Sequence, residues 1–197
     1  MSGAPPVSSA PVSPSGAGRP RKRRTVLWVS VAVAVVVAVM VAVFASSGPA
    51  SQVTASSPLV GQRAPAIGGR AIVGTGHVAL SDLAGKWVLV NFAASWCVPC
   101  REEMPQLLEF EQKNKSAGAT ILTVAYDEQD VASLASFLKG QGATWPAVDD
   151  GSAVVDYGVG GLPESYLVDP AGTVIAKYVG AVSAAQLDGV ISGASKA

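Results

Sequence analysis

The sequence predicts an α/β fold in which helices cover both faces of one central, mixed β-sheet. Two patterns predict it: strand-like apolar runs alternate with helical patterns in the middle of the chain, and a hairpin pattern lies towards each end of that region. The chain has 197 residues, of which 49% are hydrophobic. It is therefore long enough for one domain with extensions, and too apolar to be mainly disordered.

The N-terminal region has the most unusual composition. Residues 1–24 hold five basic residues and no acidic residue, and we predict a disordered tail with a basic cluster at 19–24. Between 25 and 45 only Thr25 and Ser30 are polar. About twenty apolar residues in a helix cross a hydrocarbon core of about 30 Å. We therefore expect a single transmembrane helix at 25–45 that serves as a signal anchor.

The charges beside this segment predict its orientation. Because the basic cluster precedes the span and no charge follows closely, the N-terminus is expected in the cytoplasm and the rest of the chain outside the cell membrane. A cleaved signal peptide is an alternative, since Val43-Phe44-Ala45 resembles a cleavage site. A very hydrophobic soluble strand or core helix is another. Residues 46–58 are typical of a flexible linker, which leaves 59–197 as the folded domain.

The charge of the remaining chain limits the possible functions. After residue 24, nine basic residues are outnumbered by all fourteen acidic residues. This balance argues against a nucleic-acid-binding domain, which would be basic. Two cysteines are too few for a disulfide-framed mini-protein, and one histidine excludes a histidine-rich metal centre.

Each element of the folded part has a local signal. Continuous apolar runs indicate strands buried on both faces, helical spacing of apolar residues indicates helices, and Asp169-Pro170-Ala171-Gly172 is strong turn chemistry. In chain order, we predict a hairpin over 71–80, a strand over 86–92, a helix over 98–115 with Met104, Leu107, Leu108 and Phe110 inward, a strand over 119–125, a helix capped by Asp130 and ending at Gly140, an extended piece over 145–148, a short helix over 152–157, strands over 165–168 and 173–179, and a final helix capped by Ser183.

The candidate chemistry lies where the first buried strand runs into a helix. Cys97 and Cys100 are three residues apart there, and Pro99 suits an early helical position. The helix N-terminus would stabilise a thiolate at Cys97, which makes Cys97 the expected attacking thiol and Cys100 the resolving thiol. The alternatives are two unrelated buried cysteines or half of a zinc site. No second cysteine pair is present, and an extracytoplasmic location permits disulfides.

Several motifs around these cysteines resemble the thioredoxin superfamily. The resemblance is carried by the segment Trp96-Cys97-Val98-Pro99-Cys100, by Pro105, and by Gly161-Leu162-Pro163-Glu164-Ser165. The segments 80–86 and 157–164 are similar to its membrane-anchored, extracytoplasmic branch, the TlpA/ResA/DsbE type. The resemblance covers about residues 59–192. It implies a thioredoxin-like fold without a cofactor, in which Pro163 is a cis-proline packed beside the cysteines.

The resemblance also implies roles for residues near the cysteines. Trp96 would shield the disulfide and shape the substrate surface. Glu103 matches a glutamate of this branch. We expect it to tune the pKa of the thiols and to accept a proton during exchange. The alternative is a solvated side chain. Asn91 stands where thioredoxin has a buried aspartate. Asn91 either has a catalytic role or makes only a polar contact at the end of the strand. Asp127-Glu128-Gln129-Asp130 is predicted to be a solvated loop with a helix cap.

The function implied by the resemblance is thiol–disulfide exchange. We expect reduction of protein disulfides, such as those of apocytochrome c during cytochrome c maturation, with electrons from a membrane partner of the thiol-relay type. The alternative within this chemistry is a membrane-tethered oxidant or isomerase in protein folding. A peroxidase would need threonine where Ala94 stands. A copper carrier would need one more residue between the cysteines and a late histidine, whereas His77 precedes them.

Overall fold

The computed structural model describes residues 21–46 and 55–194, which fall into two units that divide between residues 50 and 51. The first unit contains helix α1, Arg21–Ser46, whose described side chains, 26–40, are exposed. Among the described residues, no helix has both the length and the apolar character needed to cross a membrane. Parts of the predicted tail, span and linker lie outside the described residues and side chains, and the membrane anchor stays a prediction.

The second unit is built on one seven-stranded sheet with helices on both faces, as the sequence predicts. The elements are β1 Gly68–Val73, β2 His77–Ala79, β3 Trp87–Ala93, α2 Val98–Asn114, β4 Ala119–Ala125, α3 Val131–Gly140, β5 Ala147–Val148, α4 Gly151–Asp156, β6 Glu164–Val168, β7 Val174–Val179 and α5 Ala184–Ala194, with short 3₁₀ turns at Leu80–Leu83 and Lys115–Ala117.

The strand order is β2-β1-β5-β4-β3-β6-β7. β3, β4 and β5 are parallel, whereas β6, β7 and the N-terminal hairpin run antiparallel to their neighbours. The prediction of a mixed sheet is confirmed. The prediction of an extended piece from Trp145 is partly wrong, because the strand begins only at Ala147. Pro146 lacks an N–H and cannot donate to the ladder.

Alternation along the strands separates the core into two layers. On one face α2, α3 and α5 cover apolar residues that include Leu89 and Ile121. On the other face Phe92, Tyr157 and Tyr166 form a cluster with ring centroids 5.0–6.1 Å apart. Of the predicted inward positions on α2, Met104, Leu107 and Phe110 are buried and Leu108 is partly buried. The periodicity therefore identified the covered face of this helix.

The predicted caps set where the covering helices begin. The Asp130 carboxylate accepts a hydrogen bond from the N–H of Ala132 at 3.0 Å at the start of α3. At the start of α5, the Ser183 hydroxyl accepts a hydrogen bond from the N–H of Gln186 at 3.4 Å, and the Gln186 side chain accepts one from the N–H of Ser183 at 3.0 Å. These contacts satisfy N–H groups that have no partner inside the helix. Both caps are therefore confirmed.

Candidate active site at the Cys97–Cys100 disulfide

The two cysteines lie at the junction between β3 and α2. Cys97 is the residue that caps α2, and its Sγ accepts a hydrogen bond from the N–H of Cys100 at 3.1 Å. The side chains form a disulfide, with the Cα atoms 5.3 Å apart. When the disulfide is reduced, this N–H and the positive end of the helix dipole would face the Cys97 sulfur. The local structure thus favours a thiolate at Cys97.

Small apolar groups bury the disulfide. Cys97 and Cys100 are 3% and 2% exposed and cluster with Ala93, Ala94 and the partly buried Leu162. The peptide bond between Leu162 and the next residue, Pro163, is cis, and Pro163 is buried. The loop before β6 therefore brings its cis-proline segment to the disulfide, where the resemblance places it.

Two large apolar side chains beside the disulfide remain on the surface. Trp96 is 56% exposed and Val98 is 62% exposed, although both flank the buried Cys97. Burial of such side chains by a partner is favourable by about 25 cal/mol per Å² of apolar surface. This exposed pair gives the site a surface on which a substrate can dock.

Glu103 lies one turn beyond Cys100, on the buried side of α2. It is 1% exposed, so the alternative of a solvated side chain is wrong. One carboxylate oxygen accepts a hydrogen bond from the N–H of Val182 at 3.1 Å, while the other is buried without a hydrogen-bond partner. Burial raises the pKa of Glu103 to about 7, although the Val182 N–H and the Asn91 side chain act to lower it. The carboxyl group can therefore take up or release a proton near neutral pH.

Asn91 belongs to a buried polar row that crosses the sheet beneath α2. It lies in register with Thr123 on β4 and with Ser165 on β6. The Asn91 amide donates a hydrogen bond to the Ser165 hydroxyl at 3.1 Å, and the Trp145 indole donates to the Thr123 hydroxyl at 2.9 Å. The expected polar contact of Asn91 is thus present. Because the Asn91 side chain also acts to lower the pKa of Glu103, this polar row connects the sheet to the active site.

Sequence reasoning missed the contacts of two further acidic residues, one that binds Ser95 and one that directly follows Pro163. Glu128 accepts hydrogen bonds from Ser95, so the prediction of a solvated loop at 127–130 is wrong for this residue. Glu164 directly follows Pro163, is 2% exposed and forms an ion pair with Lys177 at 2.9 Å. Neither had a sequence signal, because the partners are 33 and 13 residues away.

The fold and the site together define a thioredoxin-like protein of the TlpA/ResA/DsbE type. The chain belongs to the AhpC/TSA family, whose model matches residues 60–177. Within the described part of the chain, no group of three or more His, Cys, Asp or Glu side chains is arranged to hold a metal ion.

Named relatives agree with this assignment. The chain is 39% identical over 116 residues to the thiol-disulfide oxidoreductase ResA of Bacillus thuringiensis (strain Al Hakam). The matched segment covers 58% of this chain and 66% of the relative. It is 43% identical over 107 residues to the thiol:disulfide interchange protein CycY of Rhizobium leguminosarum bv. viciae. That matched segment covers 52% of this chain and 55% of the relative. The chain therefore spans less than two thirds of the length of either relative.

Solved structures share the fold. The thioredoxin domain of a thiol-disulfide oxidoreductase from Bacteroides vulgatus matches with a TM-score of 0.58 and 32% identity, over 63% of this chain and 91% of that domain. A protein from Chlorobium tepidum, provisionally named thiol:disulfide interchange protein DsbE, matches with a TM-score of 0.60 and 34% identity, over 68% of this chain and 96% of that one.

Proposed function

We propose that this protein is a thiol–disulfide oxidoreductase that reduces disulfides in protein substrates. The observation that carries the proposal is the Cys97–Cys100 disulfide at the N-terminus of α2, between an exposed apolar pair and a buried carboxyl group. The printed names of the relatives, thiol-disulfide oxidoreductase and thiol:disulfide interchange protein, support the same activity.

The reaction begins with the reduced protein. The Cys97 thiolate attacks one sulfur of the substrate disulfide, which forms a mixed disulfide and releases one substrate thiolate. Cys100 then attacks the Cys97 sulfur, which releases the second substrate thiolate and restores the Cys97–Cys100 disulfide. Two electrons pass from the protein to the substrate. The substrate leaves as a dithiol after taking up two protons, and the protein gives up the two thiol protons.

Glu103 is the proposed proton acceptor for the second step. It lies one helical turn from Cys100, and both side chains are buried on the same side of α2. Because burial raises its pKa to about 7, the carboxylate is present at neutral pH and still basic enough to take the Cys100 proton. The proton can then be released to water or to the departing substrate thiolate.

The location and partners are part of the same proposal. The predicted anchor at 25–45 would hold the redox domain at the outer surface of the cell membrane, with the N-terminus in the cytoplasm. A membrane protein of the thiol-relay type would supply electrons, and the oxidised Cys-x-x-Cys-His segment of apocytochrome c would be a substrate. The resemblance of 80–86 and 157–164 to the membrane-anchored branch supports these assignments.

The reduction potential of the Cys97–Cys100 pair tests the direction of electron flow. We expect a value near or below that of thioredoxin, about −270 mV, when the full chain is equilibrated in thiol buffers. A value near that of DsbA, about −120 mV, would instead assign the protein as a membrane-tethered oxidant or isomerase.

Cysteine variants test the chemistry itself. Cys100→Ser should trap a mixed disulfide with an oxidised Cys-x-x-Cys-His peptide, because the resolving thiol is missing. Cys97→Ser, which removes one thiol from the same pair, is the matched control and should trap none. Trapping by Cys97→Ser alone would contradict the assigned order of attack.

A further inference from the structure

Both polar backbone groups of Ser95, two residues before Cys97, are held by charged side chains. One Glu128 carboxylate oxygen accepts a hydrogen bond from the Ser95 N–H at 2.6 Å, and the other accepts one from the Ser95 hydroxyl at 2.9 Å. On the opposite side, Arg101 donates from Nε and Nη2 to the Ser95 carbonyl oxygen at 3.1 and 2.9 Å. Hydrogen bonds to charged groups are about twice as strong as neutral ones. We name this arrangement of Glu128, Ser95 and Arg101 the Ser95 clamp.

The clamp extends to the exposed tryptophan. The Trp96 indole N–H donates a hydrogen bond to the backbone carbonyl of Asp127 at 3.3 Å. Asp127 has a φ of 44°, in the left-handed region that few residues other than glycine adopt. The loop between β4 and α3 therefore contacts the active-site loop through both Asp127 and Glu128. Trp96 is 56% exposed, but this hydrogen bond restrains its indole ring.

Arg101 is itself fixed from the side of α3. Its guanidinium group lies over the Phe137 ring, 5.4 Å from the ring centroid, which is a favourable cation–π geometry. Ser95, Arg101 and Phe137 also line a groove of about 470 Å³, together with hydroxyl-bearing residues of α3 such as Ser133. Two members of the clamp, Ser95 and Arg101, thus line this groove, and Ser95 directly precedes Trp96 in the chain.

We propose that Glu128 and Arg101 are positioning residues that hold Trp96 and this groove as a docking surface for the polypeptide around a substrate disulfide. The inference rests on the proposed function, and it names polypeptides as the class of substrate that the disulfide site selects. A side chain that is already held loses less conformational freedom when a partner binds. A small disulfide needs only the cysteine sulfur, whereas a polypeptide must also contact the surface around it.

The test compares a protein substrate with a small disulfide. Purified full-length chain and its variants would reduce insulin or dithiobis(nitrobenzoate), with dithiothreitol as electron donor. For Glu128→Ala we expect kcat/KM with insulin to fall about tenfold more than kcat/KM with the small disulfide, mainly through KM. Glu128→Gln keeps an oxygen acceptor and should recover part of this loss. Glu102→Ala removes a nearby exposed carboxylate and serves as the control, with an unchanged ratio.

A second readout follows Trp96 through the part of the fluorescence that Trp96→Phe removes, because the chain holds four tryptophans. Acrylamide should quench the tryptophan fluorescence of Glu128→Ala more readily than that of Glu128→Gln or Glu102→Ala, since the indole is then less restrained. If Glu128→Ala does not fold, Arg101→Gln breaks the other half of the clamp and should show the same selective loss.

Equal losses with both substrates, or an unchanged ratio in a folded clamp variant, would overturn the inference and leave the proposed function intact. If the unaltered protein reduced neither substrate, the proposed function would fail first.

Discussion

Two buried carboxyl groups, one a helical turn beyond Cys100 and one directly after Pro163, have opposite surroundings. Glu103 and Glu164 are 1% and 2% exposed. Glu164 forms an ion pair with Lys177 at 2.9 Å and accepts hydrogen bonds from the Tyr166 hydroxyl at 2.8 Å and the Gly160 N–H at 3.4 Å. Glu103 accepts one backbone hydrogen bond and has no cationic partner among the described residues, and its second oxygen is unpaired.

The difference separates a structural carboxylate from a reactive one. A buried carboxyl group with a cationic partner and hydrogen-bond donors around both oxygens ties neighbouring elements together. Here Glu164 joins the loop that carries Pro163 to β7. A buried carboxyl group with few partners is instead balanced between its two protonation states. Glu103, whose pKa burial raises to about 7, is such a group.

The largest expected effect comes from removing the cation beside Glu164. Lys177→Met leaves the Glu164 carboxylate buried without its ion-pair partner, and we expect the free energy of unfolding to fall by about 3–5 kcal/mol at neutral pH. Urea unfolding of the oxidised protein measures this loss.

The control for this prediction is the exposed ion pair between Lys113 and Glu109. Lys113→Met should change stability little, because solvent screens that pair. Equal effects of Lys177→Met and Lys113→Met would show that the buried pair has no special structural role.

The next effect in size is the pH dependence that Glu103 gives to stability. Its pKa is raised in the folded state from 4.5 to about 7, so the folded protein binds the proton more tightly than the unfolded chain. Stability is therefore lost as the pH rises from about 4.5 to 7, by about 3 kcal/mol in total. Glu103→Gln should remove this loss, so the variant gains on the unaltered protein across this range.

Urea unfolding at several pH values between 4 and 8 measures this difference. Glu164→Gln, a change of the same chemistry at the paired carboxylate, should not reproduce the gain. A difference between Glu103→Gln and the unaltered protein that stayed constant with pH would contradict the assigned titration.

The smallest effect distinguishes the neighbours of Glu103. Asn91 acts to lower the pKa of Glu103, so Asn91→Ala should raise it further and move the pH midpoint of thiol–disulfide exchange upward by less than about one pH unit. Thr123→Val alters the adjacent position of the same polar row and should leave the midpoint in place. A downward move in Asn91→Ala would contradict the arrangement.

The main elements of the fold were predictable because their signals are local. The strand over Ala119–Ala125 has the predicted bounds, and the strand over Trp87–Ala93 differs by one residue. Their apolar runs are continuous because both faces of a central strand are covered. The caps at Asp130 and Ser183 depend only on side chains a few residues away. The short β5 was less predictable, since its length depends on pairing with two neighbours.

The candidate site was predictable only where it resembles known motifs. The position of Cys97 and Cys100 at the start of a helix indicated their chemistry directly, whereas the contact of Glu103 with Val182 joins residues 79 apart in the sequence. Glu128 shows the limit most clearly. Its loop is polar and resembles any solvated turn, and its contact with Ser95 exists only because β3 and β4 are neighbours in the sheet.

The pH dependence of thiol–disulfide exchange in the full chain, compared with Glu103→Gln, tests the central claim most directly. If Glu103 accepts the Cys100 proton, the rate for the unaltered protein has an inflection near pH 7. The variant lacks this inflection and is slower on the order of 10²-fold at neutral pH. The same inflection and a similar rate in Glu103→Gln would show that the proton goes elsewhere and that the buried carboxyl group is not part of the reaction.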